Sequence, residues 1–409
     1  MKKISALAIA GVFTASLAAT AFAEMAEVKA GGEIRVRYLN TNNYDFNEDA
    51  GDSNNQISQR SRVNVDATVN ETTKAYISLQ DTRTWGSETG TTTTGDDVQA
   101  VDVSQAYIQL DKLAGQPLSL KIGRQALAYG DQRLIGGLEW SDNARRFDAI
   151  KLMYNIDAVG VDLFTAKLDE NGNGTLGTTG GDDGTFNGLY VTVKAIPMNV
   201  LDLYLLQKKE IDASGEDMLT YGLRIAGGAM NIDWTAEGAM QSGDDSEVAG
   251  STVDQSANMY TLKLGYTIPE VASLRIGAEY DFASGDEDAT DDENNDFDNL
   301  YPTNHDKYGV SDIKIGGVEV GLSDLAAWSV NLSAKPAAGL KLVAEYWDFS
   351  TDEEYAAGED HIGSEFNIQA WYALSSNLDL HAYWARFMPD DNIGDDDADN
   401  VTVQLTAKF

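Results

Sequence analysis

The sequence predicts an all-β fold, a transmembrane antiparallel β-barrel of about 18 strands with short turns at one end and long loops at the other. Extended runs with an apolar side chain at every second position recur along the chain, the pattern of a strand with one apolar and one wet face. Every second connection between these runs is short, as in bacterial barrels. No segment after the N-terminal region holds about 18 consecutive apolar residues, which argues against transmembrane helices.

The N-terminus carries a predicted secretory signal peptide, residues 1–23. Lys2 and Lys3 precede an apolar run, and Ala21-Phe22-Ala23 has the small-x-small pattern of a cleavage site. A membrane-spanning anchor is the alternative. Because no linker or composition break divides the rest, 24–409 is predicted to form a single barrel domain rather than several soluble domains.

Composition narrows the class of protein. The chain has no cysteine, which excludes disulfides and thiolate metal sites, and its 38 glycines and 18 tyrosines suit turns and strands. The net charge of −37 comes largely from acidic loops, where Ca²⁺ bridging is a hypothesis and a solvated surface is the default. No other cofactor is predicted. Asp169, Asn171, Asn173 and Gly174 match half of a calcium loop but lack its closing glutamate.

Strand boundaries follow from the alternation. The predicted strands are 29–41, 57–69, 74–84, 99–111, 118–126, 145–155, 159–168, 186–196, 200–209, 217–227, 230–241, 257–268, 273–283, 326–334, 340–350, 362–373, 377–387 and 399–409. The predicted long connections are 42–56, 85–98, 127–144, 169–185, 242–256, 284–325 and 388–398. An even strand number puts both termini on the periplasmic side, and closure removes the open edges of a flat sheet. A soluble sandwich is the alternative.

The last strand shows the faces most clearly. Val401, Val403, Leu405 and Phe409 fall on one side and the intervening polar residues on the other, and the chain stops on an aromatic residue. Such an ending resembles the closing strand of an outer-membrane barrel. Elsewhere, 260–266 begins and ends with a tyrosine on its apolar face, as aromatic belts at two membrane interfaces do.

Arginines mark the predicted inner face. Arg35 and Arg37 share one face of the first strand, and Arg60 and Arg62 share one face of the second. A guanidinium at mid-depth on the lipid side costs about 2–4 kcal/mol, so these side chains are predicted to face the lumen. Such a stripe would concentrate anions in a narrow pore. The alternative is that each arginine pairs with an inward acid and braces the wall.

Residues 121–154 carry the most specific motif. Its elements are Gly123-Arg124-Gln125, Tyr129-Gly130-Asp131, Arg133-Leu134-Ile135-Gly136, Trp140 and Phe147-Asp148. A second stretch, 297–305, reads Phe-Asp-Asn-Leu-Tyr-Pro-Thr-Asn-His and is followed by Tyr308-Gly309. Together they resemble the alginate-export porin family of Gram-negative outer membranes.

The resemblance implies a monomeric barrel whose lumen is narrowed by the long loops 127–144 and 284–325 and lined by basic residues that guide a polyuronate outward. The resemblance also implies that Arg124, Arg133 and Arg146 line the lumen and guide the solute, together with the four arginines of the first two strands. It gives Asp131 and Asp148 as the acids that position arginines, and it makes Tyr301, Asn304 and His305 candidates for the constriction. The implied partners are outer-membrane lipid and lipopolysaccharide, anionic polysaccharide or small anions, and periplasmic export proteins; no nucleic acid is implied.

The predicted function is therefore a passive channel for anionic solutes in the outer membrane, without enzymatic chemistry. A general porin for small solutes is the first alternative, and a surface adhesin or receptor with a plugged lumen is the second.

An outer-membrane hydrolase with a serine–histidine arrangement would need one of the three histidines of the chain. His381 shares an inner face with Asp379 and Tyr383, but no Gly-x-Ser-x-Gly elbow is present, and Ser375 lies in a predicted turn.

Overall fold

The computed structural model describes residues 27–48, 51–86, 101–170, 183–209, 215–248, 251–288, 290–315, 318–355 and 358–409. The predicted signal peptide, most of the predicted loops 85–98 and 169–185, and the calcium-loop-like segment 171–174 lie outside these residues. Within the described ranges, no helix has the length and apolar character needed to cross a membrane.

Strands make up most of the described chain. In chain order they are β1 (Glu27–Asn42), β2 (Asn54–Asn70), β3 (Thr73–Thr84), β4 (Asp102–Leu110), β5 (Leu118–Gln125), β6 (Phe147–Asn155), β7 (Val159–Glu170), β8 (Asp183–Val193), β9 (Asn199–Lys209), β10 (Asp217–Ala229), β11 (Ile232–Val248), β12 (Ser251–Ile268), β13 (Leu274–Ala283), β14 (Glu293–Asn294), β15 (Lys314–Ile315), β16 (Val318–Glu319), β17 (Leu325–Ala337), β18 (Leu340–Ser350), β19 (His361–Ser375), β20 (Leu378–Pro389) and β21 (Ala398–Lys408). One 3₁₀ turn, Leu113–Gly115, interrupts them.

The 18 long strands form a closed antiparallel barrel, which confirms the predicted fold class. Each long strand pairs with its neighbours along the chain, and β13 pairs with β17, so that the short β14, β15 and β16 lie in the connection between them. The barrel closes where β1 pairs with β21, from Glu33 opposite Lys408 to Asn42 opposite Asp399. Closure leaves no long strand edge unpaired.

One predicted connection is wrong. Residues 242–256, expected to form a loop, belong mostly to β11 and β12, which continue as a paired hairpin as far as Val248 and Ser251. The acidic residues in this segment favoured a loop, yet Asp244 lies opposite Asp254 within the ladder. Ladder hydrogen bonds join backbone groups, so acidic side chains that stand in water do not end a strand.

The two faces of the wall alternate as the sequence predicts. On β12, Tyr260, Leu262, Leu264 and Tyr266 are exposed, whereas the neighbouring Thr261 is fully buried inside the barrel. On β21 the exposed Val403 and Leu405 likewise alternate with buried threonines. The exposed apolar side chains form the lipid-facing surface, and the polar side chains face inward.

The interior of the barrel is filled by two long loops at the end opposite the short turns. Residues 126–146 connect β5 to β6, and residues 284–324 connect β13 to β17. Their apolar side chains pack against aromatic wall residues to form a core; the members are Leu127, Leu134, Ile135, Phe297, Tyr308 and Leu322 of the loops and Phe147, Phe186, Phe349 and Phe387 of the wall. We call these two loops the plug.

Candidate functional site

The two loops of the plug hold each other through backbone hydrogen bonds. Ile135 and Tyr301 form a short parallel bridge, with Tyr301 N–H donating to Leu134 O at 2.9 Å and Gly136 N–H donating to Tyr301 O at 2.8 Å. A Cβ atom at Gly136 would collide with Thr303, so the close approach of the loops requires glycine there. Tyr301 therefore lies at the junction of the loops, packed edge-on against Phe186 with ring centroids 4.9 Å apart.

Four inward arginines of β1 and β2 bind the tip of the first plug loop. Arg35 and Arg60 both donate to Glu139 O, at 2.8 and 2.9 Å, and both also donate to Ser141 O. Arg35 also pairs with Asp142. We call Arg35, Arg37, Arg60 and Arg62 the arginine cluster. All four face the lumen as predicted, but they hold backbone carbonyls of the loop as well as carboxylates.

Glu139 carries the opposite charge at the loop tip. Its carboxylate receives Arg62 Nη1 and Arg146 Nη2, each at 2.6 Å. Burial alone would raise the pKa of Glu139, but Arg146 and Arg62 lower it below its usual range, so the carboxylate stays ionised. With Arg146 included, five guanidinium groups meet the carboxylates of Glu33, Glu139 and Asp142 here, which leaves a positive excess.

Trp140 joins the wall to both loops. The guanidinium carbon of Arg37 lies 3.5 Å from the centroid of the Trp140 ring, and the His305 ring stacks on Trp140 at 3.7 Å. The Trp140 indole donates to Asp312 Oδ2 at 3.1 Å, and His305 Nδ1 lies 2.8 Å from Asp312 Oδ1. We call Arg37, Trp140, His305 and Asp312 the Trp140 latch.

Asn304, the residue before His305, lies in a turn, where its backbone carbonyl oxygen accepts the N–H of Lys307 at 2.8 Å.

Arg133 is fully buried where the two plug loops meet β13. It donates to the Tyr308 hydroxyl at 2.6 Å, lies 3.2 Å from Asp281 and 3.3 Å from Asp131, and pairs with Glu279. Burial would raise the pKa of Asp131, but Arg133 and Lys263 lower it to about 2. The predicted pairing of Asp131 with an arginine is present. Arg133 itself, however, offers no surface to a solute, so its predicted guiding role is replaced by a structural one.

The prediction that Arg124 faces the lumen is wrong. Arg124 shares a face of β5 with the exposed Ile122, and its partner Asp148 shares a face of β6 with the exposed Ile150. The two charges pair at 3.7 Å on the outer surface, next to the ends of their strands. An arginine is tolerated there because the cost of a charge on the lipid side falls to about 0–1 kcal/mol near the membrane interface.

The family model described as alginate export matches residues 26–402. The chain belongs to the alginate-export family. It is a channel protein of the Gram-negative outer membrane, which identifies the short-turn end as periplasmic and the end that holds the plug as extracellular. No curated protein matches the chain.

Solved structures with the same fold are outer-membrane proteins. OccAB1 of Acinetobacter baumannii superposes with a TM-score of 0.65 at 10% identity, covering 93% of this chain and 96% of that one. OpdQ of Pseudomonas aeruginosa gives 0.63 at 15% identity, covering 93% and 98%. OprD of the same species gives 0.61 at 12% identity, covering 93% of each. At such identities the likeness concerns the fold alone.

Sequence reasoning missed several residues that hold the plug of this family member. Trp140 belongs to the quoted motif but had no role assigned, and Glu139 and Asp142 were not singled out. Glu365 of β19 was counted neither as a site residue nor as a bracing acid. Its buried carboxylate accepts the N–H groups of Val310 at 2.8 Å and Ser311 at 3.2 Å.

Two chemical alternatives find little support in the geometry. In the described part of the chain, no three His, Asp or Glu side chains converge to hold a metal ion, so the Ca²⁺ hypothesis gains nothing there. His381, the histidine considered for hydrolysis, has Gln369 Oε1 3.3 Å from its Nε2 and stacks on Trp371 at 4.4 Å. Asp379, on the same face, pairs with Lys408 at 3.5 Å rather than with His381.

Glu365→Gln is expected to loosen the second plug loop. The amide keeps the size of the side chain but replaces one acceptor oxygen by a donor, which faces N–H groups that need acceptors. Hydrogen bonds to a charged group contribute about 1.5–3 kcal/mol, so protection of the 308–312 amides against hydrogen exchange should fall roughly tenfold to a hundredfold. Glu345→Gln is the control, because Glu345 hydrogen-bonds the wall residue Gln369 at 3.3 Å. Equal protection in wild type and Glu365→Gln would contradict this anchoring role.

Proposed function

We propose that the barrel passes anionic solutes, and polyuronate chains in particular, across the outer membrane by electrostatic guidance and without chemistry. The observation that supports this most is the arginine cluster: with Arg146, five guanidinium groups gather on one side of the lumen against three carboxylates. Low-dielectric walls strengthen such a field and raise the local concentration of anions.

The plug makes passage conditional. Because Arg35, Arg60 and Arg37 bind carbonyl oxygens of residues 139–141, the closed plug occupies donors that a passing anion would use. Movement of the loop tip exchanges loop carbonyls for solute carboxylates on the same guanidinium groups. Charge-assisted hydrogen bonds to a carboxylate are stronger than those to a neutral carbonyl, so an anion can compete for the cluster. The closed single-chain barrel needs no second copy, and we propose that it works as a monomer.

A general porin for small solutes is the second candidate. Outside the arginine cluster, the inward face carries carboxylates on β11, β13, β18 and β19, including Glu237, Asp281, Glu345 and Glu365. A lumen that carries both basic and acidic regions can pass zwitterions and small ions of both signs. A plugged surface receptor, the third candidate, differs from both in having no conductance.

The deciding experiment measures reversal potential and conductance of the purified barrel in a planar bilayer, with polyuronate added to one side. We expect anion selectivity and block by polyuronate, with the block about tenfold weaker in Arg60→Gln and Arg62→Gln, since each removes a charge-assisted contact. Arg124→Gln, which removes the same charge from the outer surface, should match wild type. A weakly selective pore indifferent to polyuronate would favour the general porin, and absence of conductance would favour the receptor.

A further inference from the structure

A cavity of about 600 Å³ lies between the plug and the periplasmic turns. The plug contributes Gln132, Thr303 and Lys307 to its lining, and the wall contributes Lys341 and Trp371. We call this cavity the vestibule. Its volume is within the range of about 300–1,000 Å³ that is usual for small-molecule sites.

Two ammonium groups on the vestibule have no ion-pair partner in the described part of the chain. Lys341 Nζ lies 4.9 Å from the centroid of the Trp371 ring, which is held in place by its stack on His381. Lys307 is half-buried at the turn of the second plug loop. Burial, followed by the charge of Lys263, lowers the pKa of Lys307, and the charges of Asp131 and Asp306 offset this only in part.

The other lysine and arginine side chains that line the vestibule each have a carboxylate partner within the chain, Asp142 in the case of Arg35. Arg60 pairs with Glu33 at 2.8 Å, and Lys408 pairs with Asp379 at 3.5 Å. Asp306, exposed on the plug next to Lys307, has no ion pair among the described residues either. Two unpaired ammonium groups therefore face one unpaired carboxylate, and a partly buried cation without a counter-charge is unfavourable. A solute anion would supply the missing charge.

The remaining lining is suited to hydroxyl groups. Gln132 and Thr303 on the plug, and Gln404 and Thr406 on β21, bring amide and hydroxyl groups to the same cavity. Such groups donate and accept hydrogen bonds with sugar hydroxyls equally well. We propose that the vestibule binds a short segment of a sugar-acid chain from the periplasmic side, with a carboxylate between Lys307 and Lys341. This inference rests on the proposed function and assigns its entry site.

The test is calorimetric titration of the detergent-solubilised full barrel with a uronic acid trisaccharide, compared with a neutral trisaccharide of the same length. We expect binding of the acidic sugar, weakened roughly tenfold by Lys307→Gln and by Lys341→Gln, because each removes a charged hydrogen-bond donor. Lys341→Arg should retain affinity. Lys335→Gln is the matched control, since Lys335 is an exposed lysine in a periplasmic segment outside the vestibule. A heat-dependent gel shift verifies that each variant forms a barrel.

Two outcomes overturn the inference: wild-type affinity in both lysine variants, or equal affinity of wild type for the neutral and acidic sugars. Either outcome can accompany an anion-selective pore in the bilayer, in which case the vestibule proposal fails and the channel proposal stands. Loss of affinity in the lysine variants together with a pore of no anion selectivity supports the binding site and overturns the conduit. The two failures are therefore separated by using both measurements.

Discussion

Arg133→Met is expected to release the plug while leaving the barrel wall intact. The substitution removes the guanidinium that contacts Tyr308 of the second loop, Asp131 of the first loop and the wall residues Glu279 and Asp281. Removing one partner of a buried ion pair typically costs about 3–5 kcal/mol. Here Lys263, 2.9 Å from Glu279 and 3.4 Å from Asp131, compensates only part of the negative charge left behind. Methionine fills similar volume, so the loss is electrostatic rather than a cavity.

The cost falls on the closed plug alone. The 18 wall strands keep their ladder hydrogen bonds, whereas the detached loops expose Asp131 and the wall carboxylates to water, where their charges are solvated. About 1.4 kcal/mol changes an equilibrium tenfold, so the ratio of closed to open plug should fall roughly a hundredfold or more. In a planar bilayer the variant should show larger and longer openings than wild type.

The absence of cysteine in the chain allows a second readout. A single Ser141→Cys substitution at the loop tip should react slowly with a maleimide in the wild-type background and rapidly with Arg133→Met. Arg275→Met is the matched control: this inward arginine of β13 binds Asp233 at 2.6 Å and Asn331 at 2.8 Å, both wall residues, and has no hydrogen bond or ion pair with the described residues of the plug. Unchanged conductance and labelling in Arg133→Met would show that the plug is held by other contacts.

The strands of the barrel wall could be predicted from the sequence because each strand depends on a local pattern of side chains. A strand in a membrane must alternate apolar and polar side chains, and this alternation gives both the strand and its two faces. The predicted 340–350, for example, coincides with β18 (Leu340–Ser350). Prediction lost accuracy where the strands leave the membrane, as in the acidic hairpin of β11 and β12. Both faces of a strand are in water there, so no lipid imposes the alternation of apolar and polar side chains.

Arg124 shows how a motif can mislead. The family resemblance placed it in the lumen, yet the alternation Leu120, Ile122, Arg124 places it on the outer face, where the structure has it. The local rule was the better guide. Position along the strand mattered as well, because a guanidinium is costly at mid-depth but not at the interface.

The plug could be predicted only in outline. Long loops that fold inward follow from the family, but the partners of each side chain depend on contacts far apart in sequence. Arg35 binds carbonyl oxygens of Glu139 and Ser141, more than a hundred residues away, and backbone carbonyls carry no sequence signal. Trp140 could have been singled out, since a tryptophan in a polar loop needs a packing partner, but nothing in the sequence paired it with Arg37 or His305.

The Trp140 latch should make the plug sensitive to pH. Burial lowers the pKa of His305, but Asp312 outweighs this effect and raises the pKa above its usual value in the closed plug. Asp306 also favours the charged imidazole and Arg37 opposes it. Two further groups face the ring from β20: His381, whose charge would oppose it, and Tyr383, whose ring centroid lies 6.0 Å away.

The sign of the effect follows from these shifts. In a detached loop His305 returns to its usual pKa of about 6.5, so the closed plug binds the proton more tightly than the open one. The resulting stabilisation is fully present below about pH 6.5 and is lost as the pH rises through the raised pKa of the closed state. Asp131, with a pKa of about 2, stays ionised throughout this range and contributes no pH dependence.

Conductance should therefore rise severalfold as the pH is raised from about 6 to 9, and His305→Gln should abolish most of that rise. The glutamine keeps a polar side chain beside Asp312 and Trp140 but cannot change its charge. His361→Gln is the control, because His361 pairs with Asp348 and Asp390 at the start of β19, away from the plug. If the pH profile of conductance is the same in wild type and His305→Gln, protonation of His305 does not control opening of the plug. Lys307 cannot produce such a rise, because its pKa is lowered in the closed plug and closure is therefore favoured as the pH increases.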